Sequence, residues 1–141
     1  MRYFILILGL AGALVSALAL QVHYSTATEP CSINAHWDCG VVNHSPFAVL
    51  HGVPVAAIGI AGYLVIAALG FLRQRFALML AVFAGFCFAL RLTFIEELVL
   101  EVWCLYCVIS QTIIALLLVL SIGWLGAEYM RLRRAARPPA A

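Results

Sequence analysis

Hydrophobic and polar positions along the chain sort into four long apolar runs with short or polar connections between them. A helix needs about 20 apolar residues to cross the hydrocarbon core of a bilayer. Runs of that order occupy about 3–22, 54–72, 76–98 and 104–124. No internal repeat or low-complexity tract interrupts them. The pattern predicts an all-α integral membrane protein: a four-transmembrane-helix bundle in a single domain, 1–126, with a cytoplasmic basic tail at 127–141. The first run has a second reading. Arg2, an apolar stretch and Ala17-Leu18-Ala19 stand in the order of a signal peptide and its cleavage site. The stretch is long for such a segment, so it is read as a retained helix.

Composition sharpens this. Hydrophobic residues make 66% of the chain and charged residues 10%, with a mean hydropathy of +1.10. A soluble globular domain is nearer half apolar and a quarter charged. Such a chain cannot cover its core with polar surface. A soluble enzyme, a disordered chain and a disulfide-stapled secreted toxin are excluded. The net charge of +2 comes from a few clustered arginines, which argues against nucleic acid as a partner.

The arginines also set an orientation, since the chain has no lysine. Arg2 precedes the first run, Arg73 and Arg75 fill the turn between the second and third, and Arg131, Arg133, Arg134 and Arg137 follow the fourth. Connections 23–53 and 99–103 hold neither Lys nor Arg. The positive-inside rule puts both termini in the cytoplasm and these two connections on the outer side. Glu29, Asp38, Glu96, Glu97 and Glu101 fall on that outer side as well. Trp37, Trp103 and Tyr106 are expected near the outer interface, Trp124 and Tyr129 near the inner one.

Loop 23–53 is too long to be a mere connector. It holds His23, His36, His44 and His51 and two of the cysteines. Its apolar stretch Pro46–Leu50, with Phe47, is expected to lie in the interface as a lid on the bundle. Gly52 then breaks the chain, and Pro54 suits the first turn of the second helix.

Cysteine placement carries the chemistry. Cys31 and Cys39 lie in the outward loop, in a compartment that permits disulfides. Cys104 and Cys107 form Cys-Leu-Tyr-Cys at the outer start of the fourth helix. A helix N-terminus offers unpaired N–H groups and partial positive charge, and both stabilise a thiolate. The thiolate is the species that attacks a disulfide or a quinone. Cys104 and Cys107 therefore read as a redox pair at the membrane surface, and the loop pair as a second, mobile pair within reach. Two pairs in series make an electron relay. Two other readings stay open: a pair of structural disulfides, and a zinc site from the four cysteines or from cysteines with His36 or His44.

Three further side chains stand out. Arg91 is a charge well inside the third span, where charge is costly. It would either snorkel toward Glu96 or Glu97 or line a ligand cavity. Gln111 lies one turn below Cys107 and would bond to a neighbouring helix or to a ligand. Cys87, alone in the third helix, reads as a small apolar filler of the bundle.

In this order the motifs resemble the vitamin K epoxide reductase family, and in particular its short bacterial members. The resemblance covers nearly the whole chain: four spans, a long first outer loop carrying Cys31, Cys39 and then Ser45, Gly52-Val53-Pro54 entering helix two, and Cys104-Leu-Tyr-Cys107 opening helix four. It implies a membrane quinone-linked thiol oxidoreductase of the bacterial inner membrane, active on the periplasmic side. An exported thioredoxin-fold partner would reduce Cys31–Cys39. Cys39 would attack Cys104 through a transient bridge, and Cys107 would face a quinone, ubiquinone or menaquinone. Ser45, Phe47, Arg91 and Gln111 are the candidate quinone contacts. The net result would be disulfide formation in the partner.

The chain also departs from the family pattern. Animal members have an asparagine on helix two and a tyrosine on helix four associated with the vitamin K ring. Here Val55–Ile58 is apolar, and Gln111 stands four residues after Cys107. Plain quinone reduction is expected rather than epoxide reduction. Many bacterial members also carry a fused thioredoxin domain; here the partner is expected to be a separate protein. Another quinone-linked disulfide generator has its CxxC near helix two and its spaced pair in a later loop, the reverse of this order. The rival to the relay is a structural tetraspan with two non-catalytic outer disulfides. A reversed flow from the cytoplasm would need a thiol near the inner ends of the helices, and no cysteine lies there.

Overall fold

The computed structural model describes residues 1–25, 31 and 33–136. It is mostly helical. Helix α1 spans Arg2–Tyr24, α2 Cys39–Asn43, α3 Val55–Phe71, α4 Arg75–Ile95 and α5 Leu105–Ala135. A π-helical turn, Glu96–Leu100, extends α4. α1, α4 with its π turn, and α5 are long and apolar enough to cross a membrane. α3 is equally apolar but shorter, at 17 residues. Phe4, Phe76, Phe83 and Val119 point outward from these helices although large and hydrophobic. Helices apolar all round suit a medium in which lipid takes the place of water.

With no apolar stripe to drive association, close packing has to hold the bundle. α1 lies against α3 through small residues. Gly9 meets Ala67, and Ser16 stands over Gly59. Gly12 backs directly onto the Tyr63 ring, where an added Cβ would collide with the ring carbons. Tyr63 in turn donates its hydroxyl to the Ser110 carbonyl of α5 at 2.8 Å. Ile5, Ile66, Leu78, Val82, Ile114 and Leu117 complete the core around it. At the far end Arg75 pairs with Glu128 at 2.7 Å, and its guanidinium lies over the Trp124 ring at 5.3 Å. The start of α4 is thereby fixed to the later turns of α5. Helical order in α5 continues past the apolar run to Ala135. Arg133 and Arg134 lie in its last turn, where cations favour the helix dipole.

The segment between α1 and α3 is structured in its described part. Asp38 caps α2: its Oδ1 accepts from the Gly40 and Val41 amides at 2.8 and 3.1 Å. A helical turn at Pro46–Ala48 follows. Strands β1, Val49–Leu50, and β2, Val53–Pro54, then pair antiparallel. His51 and Gly52 form the two-residue turn between them, both with positive φ, 51° and 84°. That is the hairpin geometry that matches strand twist. Gly52 thus closes a hairpin, and Pro54 stands at the N-cap of α3.

Candidate functional site

The four candidate cysteines gather at one end of the bundle. Cys31 and Cys39 form a disulfide with Cα atoms 5.8 Å apart. Cys39 opens α2, and Cys104 is the N-cap of α5. Cys39 and Cys104 are fully buried, and they share one cluster with Cys31, Val22 and Val42, with Cys107 packed against it. Cys104 and Cys107 are free thiols.

Backbone pairing brings these distant segments together. The Asp38 amide donates to the Trp103 carbonyl at 3.1 Å, and the Trp103 amide donates to the His36 carbonyl at 2.8 Å. The Trp37 and Trp103 rings lie 6.4 Å apart. The residues just before Cys39 are therefore stitched to the residue just before Cys104. Asn43, one turn after Cys39, completes the link. Its buried amide donates to the Cys39 carbonyl at 2.9 Å and reaches the Cys104 sulfur at 3.6 Å.

Cys104 is the N-cap residue and stands just before the first turn of α5. The Cys107 thiol's hydrogen bond holds it below the ordinary thiol range; burial opposes this, the Cys107 amide assists, the Glu96 charge opposes and the Tyr106 amide assists. The sign of a test follows. Removing the Cys107 donor should raise Cys104, so its thiolate should appear at higher pH in Cys107→Ala than in the wild type. Thiolate ultraviolet absorbance across a pH titration of the reduced protein measures this. An unchanged midpoint would contradict the assignment.

Glu96 sits on the other side of the pair, only 3% exposed. Its Oε2 accepts the Cys104 amide at 3.3 Å, and the residue lines a cavity that Cys107 also borders. Its Oε1 is buried with no hydrogen-bond partner among the described residues. The π turn carries Glu96, and Glu101, left-handed at φ 54°, closes that turn.

A cavity of about 380 Å³ opens beside Cys107, between α1, α3, α4 and α5. That is within the range of small-molecule sites. Its walls are largely apolar, with Ser45, Phe47, Tyr63, Glu96, Cys107 and Gln111 among the lining residues. Gln111 Oε1 is buried without a partner among the described residues. Ser45 also faces the cavity, but its hydroxyl donates to the Val42 carbonyl at 2.8 Å. Arg91 is not brought here. It is exposed on α4 and borders a separate shallow groove with Cys87, Phe94 and Leu98. Cys87, expected inside the bundle, is likewise exposed.

Sequence reasoning passed over Asn43 and gave Glu96 only a place on the outer side and a pairing with Arg91 as one reading of that arginine. Spacing held a partial signal for each. Asn43 follows Cys39 by one helical turn, and Glu96 and Glu97 are the two acids that fall within the third apolar run, just before Cys104-Leu-Tyr-Cys107.

No curated protein matches the chain. The model of the vitamin K epoxide reductase family matches residues 3–122, a stretch that contains all four cysteines of the site. The chain belongs to the vitamin K epoxide reductase family.

Proposed function

We propose that this membrane thiol oxidoreductase carries electrons from an exported thioredoxin-fold protein, through Cys31–Cys39 and then Cys104–Cys107, to a quinone. One observation carries the reading. Two cysteine pairs meet in a single buried cluster, and Cys107 of the second pair borders an apolar cavity within the bundle. α1, α3, α4 and α5 are taken as four spans in a bacterial inner membrane. The arginine-bearing ends then face the cytoplasm and the cysteine end faces outward.

The steps balance as ordinary thiol–disulfide exchange. A dithiol partner reduces the Cys31–Cys39 disulfide and leaves as a disulfide. The Cys39 thiolate attacks Cys104 of an oxidised Cys104–Cys107 pair, which releases Cys107 as a thiol. Cys31 then attacks Cys39, restoring the loop disulfide and freeing Cys104. The result is an oxidised loop pair beside two free thiols, the arrangement this structure has. Cys104 and Cys107 finally return to a disulfide by giving two electrons and two protons to the quinone.

The cavity fits such a substrate. Its apolar walls suit a quinone ring and the start of an isoprenoid tail. The Gln111 amide has an orphaned oxygen there, an acceptor that would take a hydroxyl hydrogen of the quinol product, since the quinone itself has no donor. Phe47 and Ser45 would flank the ring, and ubiquinone and menaquinone share the chemistry required. Arg91, on its separate groove, has no part in this reading. When bound, the quinone supplies the driving force: each 30 mV of potential difference in a two-electron couple is worth about 1.4 kcal/mol.

The test is direct. Purified protein in detergent, given a reduced thioredoxin-fold donor, should consume quinone, followed by its absorbance, in step with donor oxidation. If no quinone is consumed and all four cysteines stay oxidised against the donor, the protein is a tetraspan with two structural disulfides.

A further inference from the structure

We propose that Glu96 is a catalytic proton carrier for the Cys104–Cys107 pair, taking the Cys107 thiol proton and passing it to a ligand oxygen in the adjoining cavity. The assignment rests on the quinone reading above and adds to it a path for the protons.

The geometry is specific. One carboxylate accepts the Cys104 amide at 3.3 Å, and Cys107 stands close enough to interact with it electrostatically. It is almost completely buried, its second oxygen has no partner among the described residues, and the residue lines the same cavity as Cys107. An ionised carboxylate held this way is costly unless a cation or further donors satisfy it. No arginine or lysine is among the residues lining the cavity. The other titratable side chains around it are His23, Tyr63, Tyr106 and Cys107, with Cys104 in direct contact. A role confined to accepting the Cys104 amide would need one oxygen and no charge. A carboxyl that gains and loses a proton uses both oxygens.

The overall step is two thiols plus quinone giving one disulfide plus quinol. Two electrons and two protons move. Glu96 accepts the Cys107 proton as that sulfur becomes nucleophilic, and releases it to a quinone oxygen. As the Cys104–Cys107 bond closes, the Cys104 proton follows over the same carboxylate. Glu96 ends as it began.

Glu96→Gln separates this role from a structural one, because glutamine still accepts the Cys104 amide but cannot carry a proton. General acid–base groups contribute roughly 10²- to 10⁴-fold. The variant should therefore reduce quinone at least about 10²-fold more slowly and lose the wild-type pH dependence of the rate, while Glu96→Asp should recover part of both. A second readout needs no quinone. The infrared difference between dithiothreitol-reduced and diamide-oxidised protein should contain a carboxyl band that Glu96→Gln removes. If Glu96→Gln does not fold, a shifted pH profile and a shifted carboxyl band in Glu96→Asp carry the test. A wild-type rate and pH profile in Glu96→Gln, or in Glu96→Asp where that variant stands in, would overturn the assignment. So would a difference spectrum without that band. If wild-type protein consumes no quinone, the quinone reading fails, and the infrared band still decides whether Glu96 exchanges its proton with the cysteine pair.

Discussion

Cys107→Ser is expected to abolish turnover, with donor-dependent quinone reduction falling by at least about 10³-fold. Serine preserves the shape of the site and some hydrogen bonding. It cannot form a disulfide with Cys104 and cannot present a thiolate to the cavity. Electrons from the donor would then reach the loop pair and go no further. Rapid mixing with reduced donor should show one equivalent of donor oxidised and no quinol. Substituting Cys31 as well isolates the step between the pairs. In Cys31→Ser/Cys107→Ser only Cys39 and Cys104 remain of the four, and both are fully buried in one cluster. Mild oxidation should join them almost completely, as read by mass spectrometry of the unreduced protein. If both stay free thiols, the pairs do not exchange and the relay fails at that step. The structural-disulfide reading predicts something else: a loss of stability of about 2–4 kcal/mol on removing a bridge, with no turnover to lose.

The sequence made part of this site legible because that part depends on local chemistry. Apolar runs locate both ends of α1 and α4 and the start of α5 within a few residues, since length and hydropathy are what a bilayer demands, whereas α5 runs on past its apolar run to Ala135. A CxxC motif opening a helix could be read because capping is local. The facing of each helix was not legible. Helices apolar all round carry no stripe to say which side is inside. Arg91 and Cys87 share a face by spacing, but nothing in their neighbours showed that the face points out of the bundle. Glu96 faces inward through a π turn closed by the left-handed Glu101, and no periodicity encodes that turn. Asn43 escaped for another reason: its sulfur partner is 61 residues away. The Trp37–Trp103 pairing that brings the two together is a tertiary contact.

Asn43→Leu is expected to slow electron transfer between the cysteine pairs by roughly 10- to 100-fold. The amide donates to the Cys39 carbonyl and reaches the Cys104 sulfur from the same nitrogen, so it spans the gap that the exchange must cross. Whenever Cys104 carries charge as attacking or leaving thiolate, that N–H is a neutral donor to it from the loop side. Hydrogen bonds to charged groups are worth about 1.5–3 kcal/mol, and about 1.4 kcal/mol is a factor of ten in rate. Leucine keeps the volume and loses the donor, and it leaves the buried Cys39 carbonyl without this partner. Asn43→Asp should be slower still, because a carboxylate would repel the thiolate it faces. Two measurements check the cause. Stopped-flow quinol formation with reduced donor should fall in the order wild type, Leu, Asp. The Cys104 thiolate midpoint should rise in the same order. A wild-type rate in Asn43→Leu would mean that burial in the shared cluster aligns the two sulfurs unaided, and that the amide only closes the first turn of α2.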